Sequence, residues 1–205
     1  MNNIRALVFD VDGVLVNGHK DKGGWWHADM DKDLGLDPEL FQRAFFTEQW
    51  AEIVCGRQRI EEPLAKTLAD IAPHLSVDDM LDYWFRQDSK LEHNLLAELE
   101  TLRSRSNLGL NLATNQEHRR ADYLWHGLEL EHHFDAIHYS ADIGHAKPDA
   151  DFFATVENRT GFDGPHLLFF HDQERNVLAA RERGWQGYIW TGMETFENAL
   201  LAHGL

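Results

Sequence analysis

The stretch that most constrains this chain is Leu7-Val8-Phe9-Asp10-Val11-Asp12-Gly13-Val14, close to its start. Ile4, Ala6, Leu7, Val8 and Phe9 read as a buried strand, and that strand ends abruptly in two carboxylates at positions i and i+2. Acids at the end of a buried strand are unfavourable unless they are paired or hold a cation. Gly13 permits the tight turn that keeps both acids at the strand exit. Two readings stand side by side. One is an ordinary Asp-Gly turn. The second is a magnesium site in which Asp10 and Asp12 carry chemistry.

The rest of the chain alternates in character. From about His27 to about Gln87 the spacing is helical, with Leu40, Phe41, Ala44 and Phe45 on one face and Leu64, Leu68 and Ile71 on another. Asp37-Pro38-Glu39 and Ser76-Val77-Asp78-Asp79 read as helix starts, with a capping side chain and acids in the first turn. This block predicts a bundle of about four helices. Beyond it, Glu92 to Arg105 is a further helix with Leu95, Leu96, Leu99 and Leu102 on one face. Strands are then expected at Leu108–Ala113, Ala136–Ser140, Leu167–Phe170 and Gly187–Trp190, with helices between them. Strands alternating with helices indicate an α/β fold with a parallel, Rossmann-like sheet, and such sheets bind ligands at the carboxyl ends of their strands. The expected organisation is a core of residues 1–16 and 91–205 with an inserted helical-bundle cap, 17–90.

Polar residues fall where that topology would gather them. The first strand ends in Asp10 and Asp12, the second in Thr114-Asn115, and the fourth in His171-Asp172; Lys147 directly precedes a helix in Gly144-His145-Ala146-Lys147-Pro148. Carboxylates, a hydroxyl and an ammonium at one sheet edge suit Mg²⁺ and phosphate, since oxygen ligands are what magnesium takes. Together these four motifs resemble the haloacid dehalogenase (HAD) superfamily, in the type with a helical cap inserted after the first motif. Asp10-Val11-Asp12-Gly13 is similar to its first motif, Thr114 to its second, Lys147 to its third, and His171-Asp172 with Asn176-Val177, Ala179-Ala180 and Gly184 to its fourth. The resemblance runs through both core segments.

The resemblance implies roles. Asp10 would attack phosphorus and form an aspartyl-phosphate, and Asp12 would protonate the leaving group and then activate water. Asp10, Asp172 and the Asp12 backbone carbonyl would hold Mg²⁺. Thr114 would hold phosphoryl oxygens, and Lys147 would neutralise charge and keep Asp10 ionised. Asn115 and Arg57 are candidates for contacting substrate. One departure is His171, which stands where the family has an acid; it removes a negative charge near the ion, and Glu174 could restore it. A second reading of His171 is direct binding of a softer ion.

The expected function is hydrolysis of a small phosphorylated metabolite. A 2-haloacid dehalogenase uses the same nucleophile on carbon, but its family members characteristically lack the acid found here as Asp12. The same scaffold could also carry a phosphomutase or a non-catalytic binding protein. The charge balance, 19 basic residues against 35 acidic for a net −16, argues against nucleic acid or an anionic membrane as partner. A bound metal can reverse the local sign, so a small anionic substrate fits. Cys55 is the single cysteine, and the apolar runs are too short for a signal peptide or a membrane span. A cytoplasmic protein, monomeric or homodimeric, is expected. Trp25, Trp26 and His27 could line the cleft or simply pack. His118, His126, His132, His133 and His138 share no motif and read as scattered.

Overall fold

The computed structural model describes residues 3–16 and 26–205, so the Asn17 to Gly24 loop and Trp25 lie outside the described residues. Five strands form one parallel sheet in the order β3-β2-β1-β4-β5: β1 (Ala6–Phe9), β2 (Gly109–Thr114), β3 (Ala136–Tyr139), β4 (Leu167–His171) and β5 (Gln186–Ile189). The chain starts at the centre, builds outward through β2 and β3, then returns to the far side of β1. This reversal of strand order is where an open α/β sheet forms a crevice at its carboxyl edge.

Alternation along β1 explains how it is buried on both faces. Leu7 and Phe9 enter one apolar cluster, packed with Leu95 and Leu99 of α5 (His93–Arg105) and Phe196 of α10 (Phe196–Leu201). Ala6 and Val8 enter the opposite cluster, with Phe152, Phe153 and Val156 of α8 (Ala150–Thr160) and Ala180 of α9 (Glu174–Glu182). Phe9 is fully buried and stacks on Phe170 of β4, ring centroids 4.8 Å apart.

Between β1 and β2 the described chain is helical, as expected from its spacing. It comprises α1 (Met30–Leu34), α2 (38–54), α3 (Glu61–Ile71) and α4 (Val77–Gln87). Asp37 caps α2 by accepting from the Glu39 and Leu40 N–H groups, and Ser76 caps α4 by accepting from Asp79 N–H. Within α2, Gln42–Thr47 is wound as a π-helix, which the apolar spacing did not reveal. The block has its own core of Met30, Leu36, Phe41, Phe45, Leu64, Met80 and Trp84. Trp26 stacks on Trp84 at 5.3 Å, so this tryptophan packs into the block.

The two connections to this block run side by side: Val16 bridges Leu91, and Glu92 N–H donates to Leu15 O at 2.8 Å. On the core side, α6 (118–127) and α7 (Ser140–Ile143) meet the block. Ser140 Oγ donates to Val54 O at 2.6 Å, and a Cβ on Gly56 would come within 2.0 Å of Ala141 O. Gly56 also has φ +69, so only glycine fits that turn against α7. Among the described residues no helix is long and apolar enough to cross a membrane.

Phe9→Ala should remove a ring that links the sheet to both α10 and β4. The expected loss is about 3–5 kcal/mol of stability, seen as a lower urea midpoint with the slope unchanged.

Candidate active site

Strand register alone brings the first polar groups together. Phe9 lies opposite Phe170 and Leu112, so the next residues, Asp10, His171 and Ala113, share a level, with Asp10 and His171 on the same face. Asp10 is 6% exposed and His171 1%. His171 Nε2 lies 2.9 Å from Asp10 Oδ2. At the second carboxylate oxygen, Lys147 Nζ stands 2.8 Å from Asp10 Oδ1. The same ammonium donates to Ala113 O at 2.7 Å and rests over the Phe152 and Phe169 rings.

Asn115 fixes where Lys147 can be. Its amide Nδ2 donates to Lys147 O at 3.0 Å, and Lys147 N–H donates back to Asn115 Oδ1 at 2.8 Å. The side chain predicted to touch substrate is therefore engaged in holding the lysine loop. Thr114 ends β2, almost fully buried, one step beyond the level of Asp10. These groups line a cavity of about 180 Å³ with Asp12, Gln173, Arg175 and Asn176. Arg57 does not line that cavity; it follows α2 and pairs with Glu52 at 3.0 Å, both side chains half exposed.

The two aspartates sit in opposite fields. Burial alone would raise the Asp10 carboxyl, but Lys147 and His171 outweigh it and hold Asp10 well below the usual carboxylate range. Burial pushes Lys147 down from the usual amine range, with Asp10 opposing that shift. Asp12 is pushed up to about 7, chiefly by desolvation, with the Asp88 and Asp10 carboxylates adding and Arg120 and Gln116 opposing. Gln116 Nε2 donates to Asp12 Oδ2 at 2.6 Å and lies 3.3 Å from Thr114 Oγ1. Neither Gln116 nor Arg120 stands out in the sequence. The available signal is their position, two and six residues after Thr114 at the carboxyl end of a strand.

The donors present fit a hard divalent cation. Ligand atoms of Asp10, His171 and Asp172 lie within 4.8 Å of one another. Both nitrogens of His171 are engaged. Gln173 N–H donates to Nδ1 at 3.0 Å and Asp172 Oδ1 lies 2.8 Å from the same nitrogen, while Asp10 Oδ2 and Asn176 Nδ2 lie 2.9 and 2.7 Å from Nε2. A Cβ on Gly13 would come within 2.5 Å of Asp172 Oδ2, so glycine keeps that carboxylate at the site. The carboxylate oxygens of Asp10 and Asp172 are the kind of donor that suits magnesium.

A model of the haloacid dehalogenase-like hydrolases matches residues 4–184. Among solved structures, a HAD family enzyme from Bacteroides thetaiotaomicron is similar at TM-score 0.80 and 19% identity, covering 97% of this chain and 98% of that one. The same enzyme in complex with magnesium and inorganic phosphate matches at TM-score 0.77 and 19% identity, covering 96% of this chain and 98% of that one. A predicted HAD-like family hydrolase from Porphyromonas gingivalis matches at TM-score 0.73 and 22% identity, covering 98% and 97%. The L-2-haloacid dehalogenase of Xanthobacter autotrophicus, with chloropropionic acid covalently bound, matches at TM-score 0.59 and 21% identity over 90% of this chain and 76% of that one. No curated protein matches the sequence.

The raised Asp12 has a stability signature in metal-free protein. Between its ordinary 3.8 and about 7, the folded protein keeps a proton that the unfolded chain has released, so stability falls as pH rises through that window. Asp12→Asn removes this loss. Solvent in the cavity limits the gain to on the order of 1 kcal/mol, or about 2–4 °C in melting temperature for a chain of this length. The difference from wild type should be present at pH 8 and absent at pH 4.

Proposed function

The chain belongs to the haloacid dehalogenase-like hydrolase family, and from that premise we propose that it is a Mg²⁺-dependent phosphatase of a small phosphorylated metabolite. The observation that carries this reading is the divergence of two carboxylates two residues apart. Asp10 is held ionised by Lys147 and His171, while Asp12 retains a proton to about 7. A nucleophile and a proton donor side by side are what phosphate-ester cleavage requires.

In this reading Asp10 attacks phosphorus as the ester oxygen departs with the proton from Asp12, leaving a phosphoryl group on Asp10. Asp12, now a carboxylate, takes a proton from the water that attacks that phosphorus, and Asp10 is regenerated as inorganic phosphate leaves. Lys147 balances charge on Asp10 and on the phosphoryl oxygens, and Thr114 donates to one of them. Asn115 keeps Lys147 in place. Asp10, Asp172 and the Asp12 backbone carbonyl would hold Mg²⁺, which supplies charge neutralisation at the transferred group. The magnesium and phosphate complexes of the Bacteroides enzyme support this assignment by analogy of fold.

Residues 17–90 would act as a cap over the core of 1–16 and 91–205, limiting substrates to small molecules. Arg57 remains a candidate for the polar part of a substrate that reaches beyond the phosphate cavity. Dehalogenation needs no proton donor, so the retained proton on Asp12 favours the phosphatase reading over the activity of the Xanthobacter relative.

Purified protein with Mg²⁺ should hydrolyse p-nitrophenyl phosphate and members of a metabolite panel. Asp10→Asn should abolish release of phosphate, and retained turnover would remove Asp10 as nucleophile. The metal reading has its own check in calorimetric titration of metal-free protein with Mg²⁺, Mn²⁺, Co²⁺ and Zn²⁺. His171→Glu should tighten Mg²⁺ binding by about tenfold by restoring negative charge beside Asp172. An unchanged Mg²⁺ affinity with lost Zn²⁺ or Co²⁺ binding would instead make His171 a direct ligand of a softer ion.

A further inference from the structure

Arg120, on α6, is a fully buried cation that the reaction above does not use. A buried guanidinium must find acceptors for its donors. Nη1 donates to Phe85 O at 3.1 Å and to Ser89 Oγ at 2.7 Å, and Nη2 donates to Asp88 O. The guanidinium also lies over the Phe85 and Tyr123 rings, 5.4 and 5.8 Å from their centroids. All three hydrogen-bond acceptors belong to the end of α4 and the strap that follows it, where the helical block returns to the core. From this anchored position Nη2 stands 4.0 Å from Asp12 Oδ1 and 3.8 Å from Asp88 Oδ2.

Asp12 is thus approached on both oxygens from one short segment. Gln116 donates to Oδ2, and Arg120, one helical turn further on, faces Oδ1. A staple serving only the fold would need the backbone acceptors alone. Here the same fork that grips the strap also faces the carboxylate, and a guanidinium is planar and rigid. A shift of the strap moves its Phe85, Ser89 and Asp88 acceptors and with them the cation in front of Asp12.

We propose that Arg120 is a positioning residue that couples the seating of the 88–92 strap to the placement of the Asp12 carboxyl group. The inference rests on the phosphatase reading for its kinetic consequence, but not for its structural one. Reciprocity requires that loss of either partner loosens its counterpart.

Two measurements test this. The first compares an alkyl phosphate, whose leaving group needs a proton, with 2,4-dinitrophenyl phosphate, whose leaving group does not. Arg120→Ala should lower kcat toward the alkyl ester by about 10²-fold or more while the dinitrophenyl ester loses less than about tenfold. Added guanidinium should restore part of the alkyl activity. Ser89→Ala, which removes one part-buried anchor and leaves the backbone acceptors of Arg120 in place, should show the same selectivity more weakly, which keeps the test open if Arg120→Ala folds poorly. An equal fall on both esters in Ser89→Ala and Arg120→Ala overturns the proposal.

The second measurement is amide hydrogen exchange, which needs no turnover. Exchange at Asp88 and Glu92 should accelerate severalfold in Arg120→Ala and in Asp12→Asn, but not in Asp10→Asn. Unchanged exchange in Asp12→Asn overturns the coupling. A wild-type protein that hydrolyses no ester yet shows the exchange pattern retains the coupling and removes only the phosphatase reading.

Discussion

The buried ion pair of Asp10 and Lys147 is the interaction around which the rest of the molecule is arranged. Both side chains are almost fully shielded, so each would be strongly unfavourable alone. Their attraction offsets that cost only with good geometry and with the remaining donors satisfied. Ala113 O and the two phenylalanine rings complete the surroundings of the ammonium, and His171 completes those of the carboxylate. Several elements must therefore arrive together. β1 delivers Asp10, β2 delivers Ala113 and Asn115, β4 delivers His171, and the turn before α8 delivers Lys147. Misplacing any one leaves a buried charge without a partner, a penalty of about 3–5 kcal/mol.

That pair also separates the two acids of the first motif. Asp10 and Asp12 share a turn, yet Asp10 faces two donors while Asp12 faces two carboxylates, Asp10 itself and Asp88. Asp88 does not belong to the sheet. It comes from the strap of the helical block, so the block contributes to the electrostatic surroundings of an acid of the core. Arg119 and Arg120 show how close the two parts are. Neighbours on α6, they point to different places: Arg119 pairs with Asp78 at 3.0 Å on the surface, and Arg120 is buried against the strap.

Much of this is legible from residue order. The strands of a parallel sheet are covered on both faces and read as continuous apolar runs, as Leu167–Phe170 does. Their polar ends mark Asp10, Thr114 and Asp172, and the capping side chains of Asp37 and Ser76 mark two helices correctly. The π-wound part of α2 and the short α10 leave no comparable pattern. Gln116 and Arg120 escape for a different reason. Their meaning lies in what they meet, Asp12 more than a hundred residues earlier in the chain and Ser89 across the block, and a single sequence carries no signal for such meetings. Asn115 reads as a substrate contact because it follows Thr114, whereas its hydrogen bonds go to the lysine loop.

His171 shows why the departure from the family pattern is compatible with the same site. A carboxylate at this level of β4 would face Asp10 as like charge and depend on a cation to tolerate it. The imidazole instead sets Nε2 2.9 Å from Asp10 Oδ2 and accepts the Gln173 N–H on Nδ1. Two donors, Lys147 and His171, then hold Asp10 ionised from the protein side alone. The imidazole thus adds to the positive surroundings of Asp10 from the protein itself. Asp172, whose Oδ1 lies 2.8 Å from His171 Nδ1 in the same group of ligand atoms, is the second carboxylate that a cation there would meet.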